Sequence, residues 1–388
     1  MTEIMQQQPG GKDRQAETRR ALLPDYLRLI ALFGIVIVNV QYIALSALVG
    51  MADQVAKSAA DDITLFLVHG LALLKTYGLF SFMFGVGLGF LMQASARRGL
   101  SFGKVYRNRM LGLLLLGLAH GLLFFPGDIL VIYAVTGSIL YLFRDWSVRR
   151  LVRVGVALLI VQAIIIPLLV FAPDETPAEF FDIERMSMIE GSFLDAAIFR
   201  SIGFALTLPV FLVFQGISAL GWFCLGLAAV KSGMIDNAAH PLWRRARRVC
   251  LLPGVALSLF GAALWQWGAP LPGAALTFSI APLATLGYLG LIAAIDRPPG
   301  PIMAGVLRAG GSSLSIYLGQ SIILTTIFSG YGFGLWEAVD RTTASLIAIG
   351  VTVLLIVLIS IWRMWFRQGP FELLLRRITY AGTTERKT

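Results

Sequence analysis

The chain has 388 residues, 57% of them hydrophobic and only 14% charged, with a mean hydropathy of +0.77 and a formal net charge of +10. An ordinary soluble domain carries roughly 25% charged residues, so this composition excludes a soluble globular protein and reads as an all-α, polytopic protein of a lipid bilayer. Nucleic-acid binding is not indicated, because the basic residues fall in short clusters between apolar runs, the pattern of cytoplasmic loops.

Residues 1–22 are polar and read as a disordered cytoplasmic tail, residues 23–380 as a single transmembrane domain, and residues 381–388 as a second cytoplasmic tail. The first apolar run is too long for a signal-peptide core and lacks a small-residue cleavage site, so it is expected to stay as an anchor. A helix needs about 20 apolar residues to cross hydrocarbon. Stretches of that kind recur at 26–48, 65–92, 108–125, 128–143, 151–172, 200–230, 249–268, 272–295, 311–330 and 343–366, predicting about ten spans. The third and fourth are short and joined by Phe124-Phe125-Pro126-Gly127, so they could instead form one hairpin that does not fully cross. If ten spans alternate, the great majority of the 32 basic residues lie on one side, which the positive-inside rule makes cytoplasmic together with both termini. The opposite side is acidic: Asp53, Asp61 and Asp62 follow span one, and Glu337 and Asp340 precede span ten. The longest outer loop carries Asp174, Glu175, Glu179, Asp182, Glu184, Glu190 and Asp195 against Arg185 alone, and reads either as a solvated loop or as a lid.

Ionisable groups at membrane depth are functional candidates, since each costs several kcal/mol unless paired or watered. The stretch Arg107–Tyr133 holds two of them, His120 at the end of one apolar run and Asp128 at the start of the next. Asp128 is placed at the outer edge and His120 about two helical turns below it. Near the same depth are Asn39 and Gln41 in span one and His69 and Lys75 in span two, while Tyr317 and Gln320 of span nine lie nearer the middle. Each has a bland alternative. His120 can be a structural histidine bonded to a carbonyl, Asp128 a helix N-cap, Lys75 a residue snorkelling to the interface and His69 an interfacial residue. Gly85 and Gly89 form a small-xxx-small face for close helix packing. Cys224 and Cys250 have no metal-ligand spacing, and no P-loop, GxGxxG, HExxH or GxSxG motif occurs, so no metal is expected.

Five stretches in order, DYLRLIALFGIVIVN (25–39), LFSFMFGVGLGF (79–90), YRNRMLGLLLLGLAHGLLFFPGDILVIYAVTG (106–137), GSSLSIYLGQS (311–321) and RQGPFELLLRRITY (367–380), resemble the YeiB-like family of bacterial membrane proteins, the domain-of-unknown-function 418 group. The family's Arg-Gly in the first motif is Arg28-Leu29 here. Its N-terminal half is similar to transmembrane acyltransferases of the heparan-alpha-glucosaminide acetyltransferase type, which move an acetyl group from cytosolic acetyl-CoA to a sugar across the membrane. Within that resemblance their first-span asparagine falls on Asn39, whereas the loop that holds their histidine, 49–64 here, has none.

The activity so implied is acyl transfer from cytosolic acyl-CoA to an extracytoplasmic sugar or amine, in the bacterial inner membrane. His120 is then the base, Asp128 its orienting partner, and Asn39 or Gln320 an oxyanion donor. Lys75, Tyr317 and Gln320 would bind substrate, and Arg107 and Arg109 the phosphates of coenzyme A; ordinary anchoring is the alternative for those arginines. The rival is a small-molecule transporter or exporter that uses the same polar residues, and a homo-oligomer is compatible with either.

Overall fold

The computed structural model describes residues 22–46, 58–171, 178–295 and 299–383. Backbone in hydrocarbon must satisfy its own hydrogen bonds, which favours helices, and the described residues form helices and no strands. In chain order these are α1 (Leu23–Ile43), α2 (Ala59–Leu67), α3 (Lys75–Arg97), α4 (Phe102–Leu123), α5 (Leu130–Leu142), α6 (Val148–Val170), α7 (Ala178–Arg185) and α8 (Phe193–Lys231), followed by α9 (Pro241–Ala246), α10 (Leu252–Trp267), α11 (Pro270–Ala294), α12 (Pro301–Gly310), α13 (Ser313–Phe328), α14 (Arg341–Trp365) and α15 (Pro370–Thr379).

Each of the ten predicted stretches falls on a helix, but they are not equivalent. Among the described residues seven helices are long and apolar enough to cross a membrane, and α12 with α13, bent by 81°, makes an eighth if the pair is one broken span. The exceptions are the third and fourth stretches. α4 opens on Lys104, Arg107, Asn108 and Arg109, and the 13 residues of α5 reach only about 20 Å against about 30 Å of hydrocarbon. The pair is a hairpin inserted among the longer helices. Outward-facing leucines such as Leu168, Leu206 and Leu252 are 64–77% exposed, an apolar surface that only lipid covers at low cost. The chain is therefore a multi-pass membrane protein.

Small residues set the closest helix contacts. A Cβ at Gly85 of α3 would stand 2.2 Å from the Phe223 carbonyl oxygen of α8, and one at Gly226 of α8 would stand 2.1 Å from the Phe82 oxygen of α3. These two backbones touch, as the spacing of Gly85 and Gly89 predicts.

Span two is broken in the middle. Val68–Ala72 form a π-turn, and Leu74 takes a left-handed conformation at φ 60° without being glycine. The interrupted helix leaves its last carbonyls without intrahelical donors, and side chains replace them. Lys75 Nζ donates to the His69 oxygen at 2.7 Å, Tyr288 Oη to the Leu71 oxygen at 3.0 Å, and Thr76 Oγ1 to the Ala72 oxygen at 3.1 Å. Lys75 is fully buried by this role. It does not snorkel to an interface, because its ammonium caps the negative end of the broken helix.

At the acidic end the outer loop is ordered over 178–190 and packed down. Glu184 accepts a hydrogen bond from Ser46 Oγ, Arg185 pairs with Glu337 at 3.0 Å, and the Met188 oxygen accepts from Gly330 N at 2.7 Å. Arg200 ties this cover to the bundle, donating to Ser329 Oγ at 2.5 Å and to the Leu123 oxygen at 3.3 Å, one turn beyond His120. The described part of the loop is thus docked through Glu184, Arg185 and Met188, while Glu179, Asp182 and Glu190 stay exposed. Asp174 and Glu175 lie outside the described residues, as do Asp53, the tail 1–21 and residues 384–388.

Candidate functional site

α4 and α5 approach each other where Gly117 faces the start of α5. A Cβ there would stand 2.7 Å from Val131 N and 2.8 Å from Asp128 Oδ2, so only glycine admits the contact. One turn later α4 ends, with Phe124 N and Phe125 N both donating to the His120 oxygen at 2.9 Å. The turn then folds Asp128 back into the bundle. His120 Nδ1 and Asp128 Oδ1 are 2.8 Å apart, with both side chains at most 2% exposed. Asp128 Oδ2 accepts from Val131 N at 2.9 Å, so the carboxylate also caps α5. The two residues are not separated by two helical turns, as their placement along the chain predicts, because Asp128 folds inward instead of standing at the edge.

This carboxylate fixes the imidazole. A proton on Nδ1 is held by Asp128, which leaves Nε2 as the lone-pair nitrogen. His120 Nε2 is buried without a hydrogen-bond partner among the described residues. The Tyr317 ring stands 5.1 Å from the imidazole between centres, and Tyr317 Oη accepts from Ile129 N at 3.4 Å.

Tyr317 is also the link to a cavity of about 480 Å³. At one end of the cavity lie Tyr317, Ile129 and Tyr133, all nearly buried. At the other lie Arg28, Arg98, Arg109 and Arg376, with the Tyr380 ring near two of them, 5.5 Å from the Arg98 guanidinium and 5.9 Å from that of Arg376. Asp25 partly neutralises Arg28 at 3.1 Å. His120 itself does not line the cavity; it sits one side chain behind the wall that Tyr317 forms.

The amphipathic α15 closes one flank of this cavity. Its Glu372 reaches the start of α13, where Oε1 accepts from Leu314 N at 2.7 Å and Ser315 N at 3.1 Å, and Oε2 from Ser315 Oγ at 2.5 Å. A side chain of one helix thus caps another. Burial pushes the Glu372 carboxyl above its ordinary range, against the opposing pull of these hydrogen bonds. A carboxyl raised in the folded state contributes stability below its unfolded value and loses it as the pH rises through the folded one. The docking of α15 is therefore expected to weaken as the pH climbs out of the carboxylate range. Hydrogen exchange of the α15 amides at several pH values measures this, and Glu372→Gln should flatten the dependence.

Of the residues singled out in the sequence, the structure brings together His120, Asp128 and Tyr317, with Arg109 at the far end of the same cavity. The others lie elsewhere. Arg107 is exposed and lines a neighbouring groove instead of the cavity, since residues two apart on a helix do not share a face. Gln320 is spent on packing, donating to Thr352 Oγ1 at 2.8 Å and to the Leu32 oxygen at 3.4 Å. Asn39 is half-buried on α1, outside the cavity lining. Lys75 caps the broken helix as described, and fully buried His69 stacks on Trp265 at 3.9 Å with both ring nitrogens unpartnered among the described residues. Reading the sequence missed the cavity roles of Arg28, Arg376, Tyr380 and Tyr133. All four stand inside the stretches quoted for the family resemblance, and Arg376 with Tyr380 shares the last stretch with Glu372. Among the described residues no group of three His, Cys, Asp or Glu side chains could hold a metal ion.

Comparison with known proteins bears on the whole chain. Residues 229–382 match the family model described as Protein of unknown function (DUF418). Uncharacterized protein YeiB of Escherichia coli is 29% identical over 388 residues, covering 94% of this chain and 98% of its own. Uncharacterized protein YxaH of Bacillus subtilis is 27% identical over 394 residues, covering 92% of this chain and 94% of its own. A 39.9 kDa protein encoded in the amylase 3' region of Bacillus acidopullulyticus is 22% identical, with 92% of each chain covered. No solved structure matches. The DUF418 match over residues 229–382 and the nearly full-length likeness to bacterial relatives agree with the motifs distributed from residue 25 to residue 380, and the chain is similar to the YeiB-like DUF418 proteins along nearly its whole length.

Proposed function

We propose that the protein is an acyltransferase of the bacterial cytoplasmic membrane that takes an acyl group from acyl-CoA and passes it to a sugar or amine acceptor. The observation that carries this reading is the single cavity joining an arginine cluster to the wall behind which His120 and Asp128 are paired. By the positive-inside rule the arginine end faces the cytoplasm, where acyl-CoA is found. Arg28, Arg98, Arg109 and Arg376 suit the phosphates. The thioester would then reach toward Tyr317.

In the reaction His120 Nε2 takes the proton of the acceptor hydroxyl or amine as that atom's electron pair forms a bond to the thioester carbonyl carbon. The carbon–sulfur bond breaks, and the thiolate of coenzyme A leaves with the proton returned from His120. Asp128 holds the imidazole in the required tautomer and stabilises its charged form. The Tyr317 ring must turn aside for the acceptor to meet Nε2, which makes Tyr317 the gate of the site. Asn39 and Gln320 have no part in this scheme.

A transporter or exporter is the second reading, favoured by the closed acidic end beside a cavity lined from the basic end. One experiment separates the two. Purified protein is incubated with acetyl-CoA and a panel of sugars and amines, and free thiol is measured. The enzyme binds acetyl-CoA and releases thiol in an acceptor-dependent way that His120→Ala removes. Absence of both binding and thiol release across the panel would sink the acyltransferase reading.

A further inference from the structure

Beside the cavity, sharing Tyr106 of α4 with it, lies a second hollow, a groove of about 500 Å³ between α4 and α5. Its walls are Met110, Leu111 and Leu114 from α4 and Ala134 and Val135 from α5, and Arg107 closes its basic end. Leu111 is 49% and Val135 42% exposed, so the groove opens sideways into what is hydrocarbon for this chain. At its basic end Gly103 lets Tyr141 come close, since a Cβ there would stand 2.8 Å from Tyr141 Oη.

We infer that this groove holds an acyl chain of an anionic phospholipid, with the lipid phosphate on Arg107. An apolar hollow at membrane depth offers water no partners, and the bilayer supplies the occupant that fits it. From Arg107 to Leu114 the helix advances about 10 Å, so the chain lies along the wall below its headgroup. The charge selects the headgroup. Arg107 is exposed and makes no ion pair among the described residues, unlike Arg28, Arg144 and Arg185. Its guanidinium is free to take a phosphate in bidentate fashion. The lipid also borders the central cavity, because Tyr106 lines both hollows and is fixed by a 2.7 Å hydrogen bond from its hydroxyl to the Gly137 oxygen. The inference is independent of the acyltransferase reading, since it concerns the bilayer's own lipid and not acyl-CoA.

The test is lipid retention by the purified full-length protein, counted by native mass spectrometry after exposure to equal amounts of phosphatidylglycerol and phosphatidylcholine. Wild type should hold one phosphatidylglycerol in preference to phosphatidylcholine. Arg107→Gln should cut that preference about fivefold, the effect of one arginine near a lipid surface, and Arg107→Lys should restore most of it. Val135→Trp, which fills the groove from its exposed wall, should lower retention of both lipids, and Leu111→Trp on the opposite wall should do the same if the first variant does not fold. Unchanged selectivity in Arg107→Gln, or unchanged retention in both tryptophan variants, overturns the proposal. So does displacement of the lipid by excess inorganic phosphate, which would make Arg107 a site for a free anion.

Discussion

The His120→Ala protein is expected to bind acetyl-CoA as wild type does and to turn it over about 10²–10⁴-fold more slowly, the usual contribution of a positioned general base. Binding survives because the arginines stand at the far end of the cavity from Tyr317. Two substitutions at Asp128 then separate catalysis from structure. Asp128→Asn keeps the size and can still accept from Val131 N, but its amide donates to His120 Nδ1. The imidazole proton moves to Nε2, the nitrogen that must accept one. Turnover should therefore fall nearly as far as in His120→Ala while the thermal midpoint changes little. Asp128→Ala instead strands two buried groups, His120 Nδ1 and Val131 N, at about 1–3 kcal/mol each. It should lower stability and turnover together. If Asp128→Asn and wild type turn over alike, the pair is a cap and packing device, and the base must be sought elsewhere.

How much of this is visible in the sequence depends on whether a residue type carries a local signal. The ten apolar stretches are legible because hydrocarbon demands them, and each meets a helix. The break in span two is not, since Leu73 and Leu74 give no glycine or proline warning of a left-handed turn. The misplacement of Lys75 follows from that, because an unbroken helix would have had no free carbonyl for it to cap. The bend between α12 and α13 leaves a clearer trace in Gly310-Gly311. His120 and Asp128 stand out as ionisable groups in apolar runs, but their contact needs Gly117, whose role only the packing of α5 reveals. The opposite facing of Arg107 and Arg109 was available from helical geometry alone: at 3.6 residues per turn, a spacing of two turns the side chain about halfway around. Arg28, Arg376 and Tyr380 come from opposite ends of the chain, and no linear pattern brings them to one rim.

The motif FGVGLGF allows the cavity to be tested without disturbing the arginines or His120. Its glycines look alike in sequence and differ entirely in surroundings. Gly85 is pressed against the α8 backbone, whereas a Cβ at Gly87 meets no atom within 4 Å and Gly87 lines the cavity. Gly85→Ala must push α3 and α8 apart, since a carbonyl oxygen cannot give way as a side chain does. It should cost about 1–3 kcal/mol or more, read as a lowered thermal midpoint or loss of folded protein. Gly87→Leu should do the opposite. Replacing a helical glycine gains up to about 1 kcal/mol of helix propensity, and the leucine side chain enters empty space. The midpoint should hold or rise while acetyl-CoA binding falls below detection, with Gly87→Ala intermediate. The contrast is sharp because the positions are two residues apart on one helix, so expression and insertion are matched. A Gly87→Leu protein that is folded and binds acetyl-CoA as wild type does would mean that the cavity is not the coenzyme site, whatever His120 does.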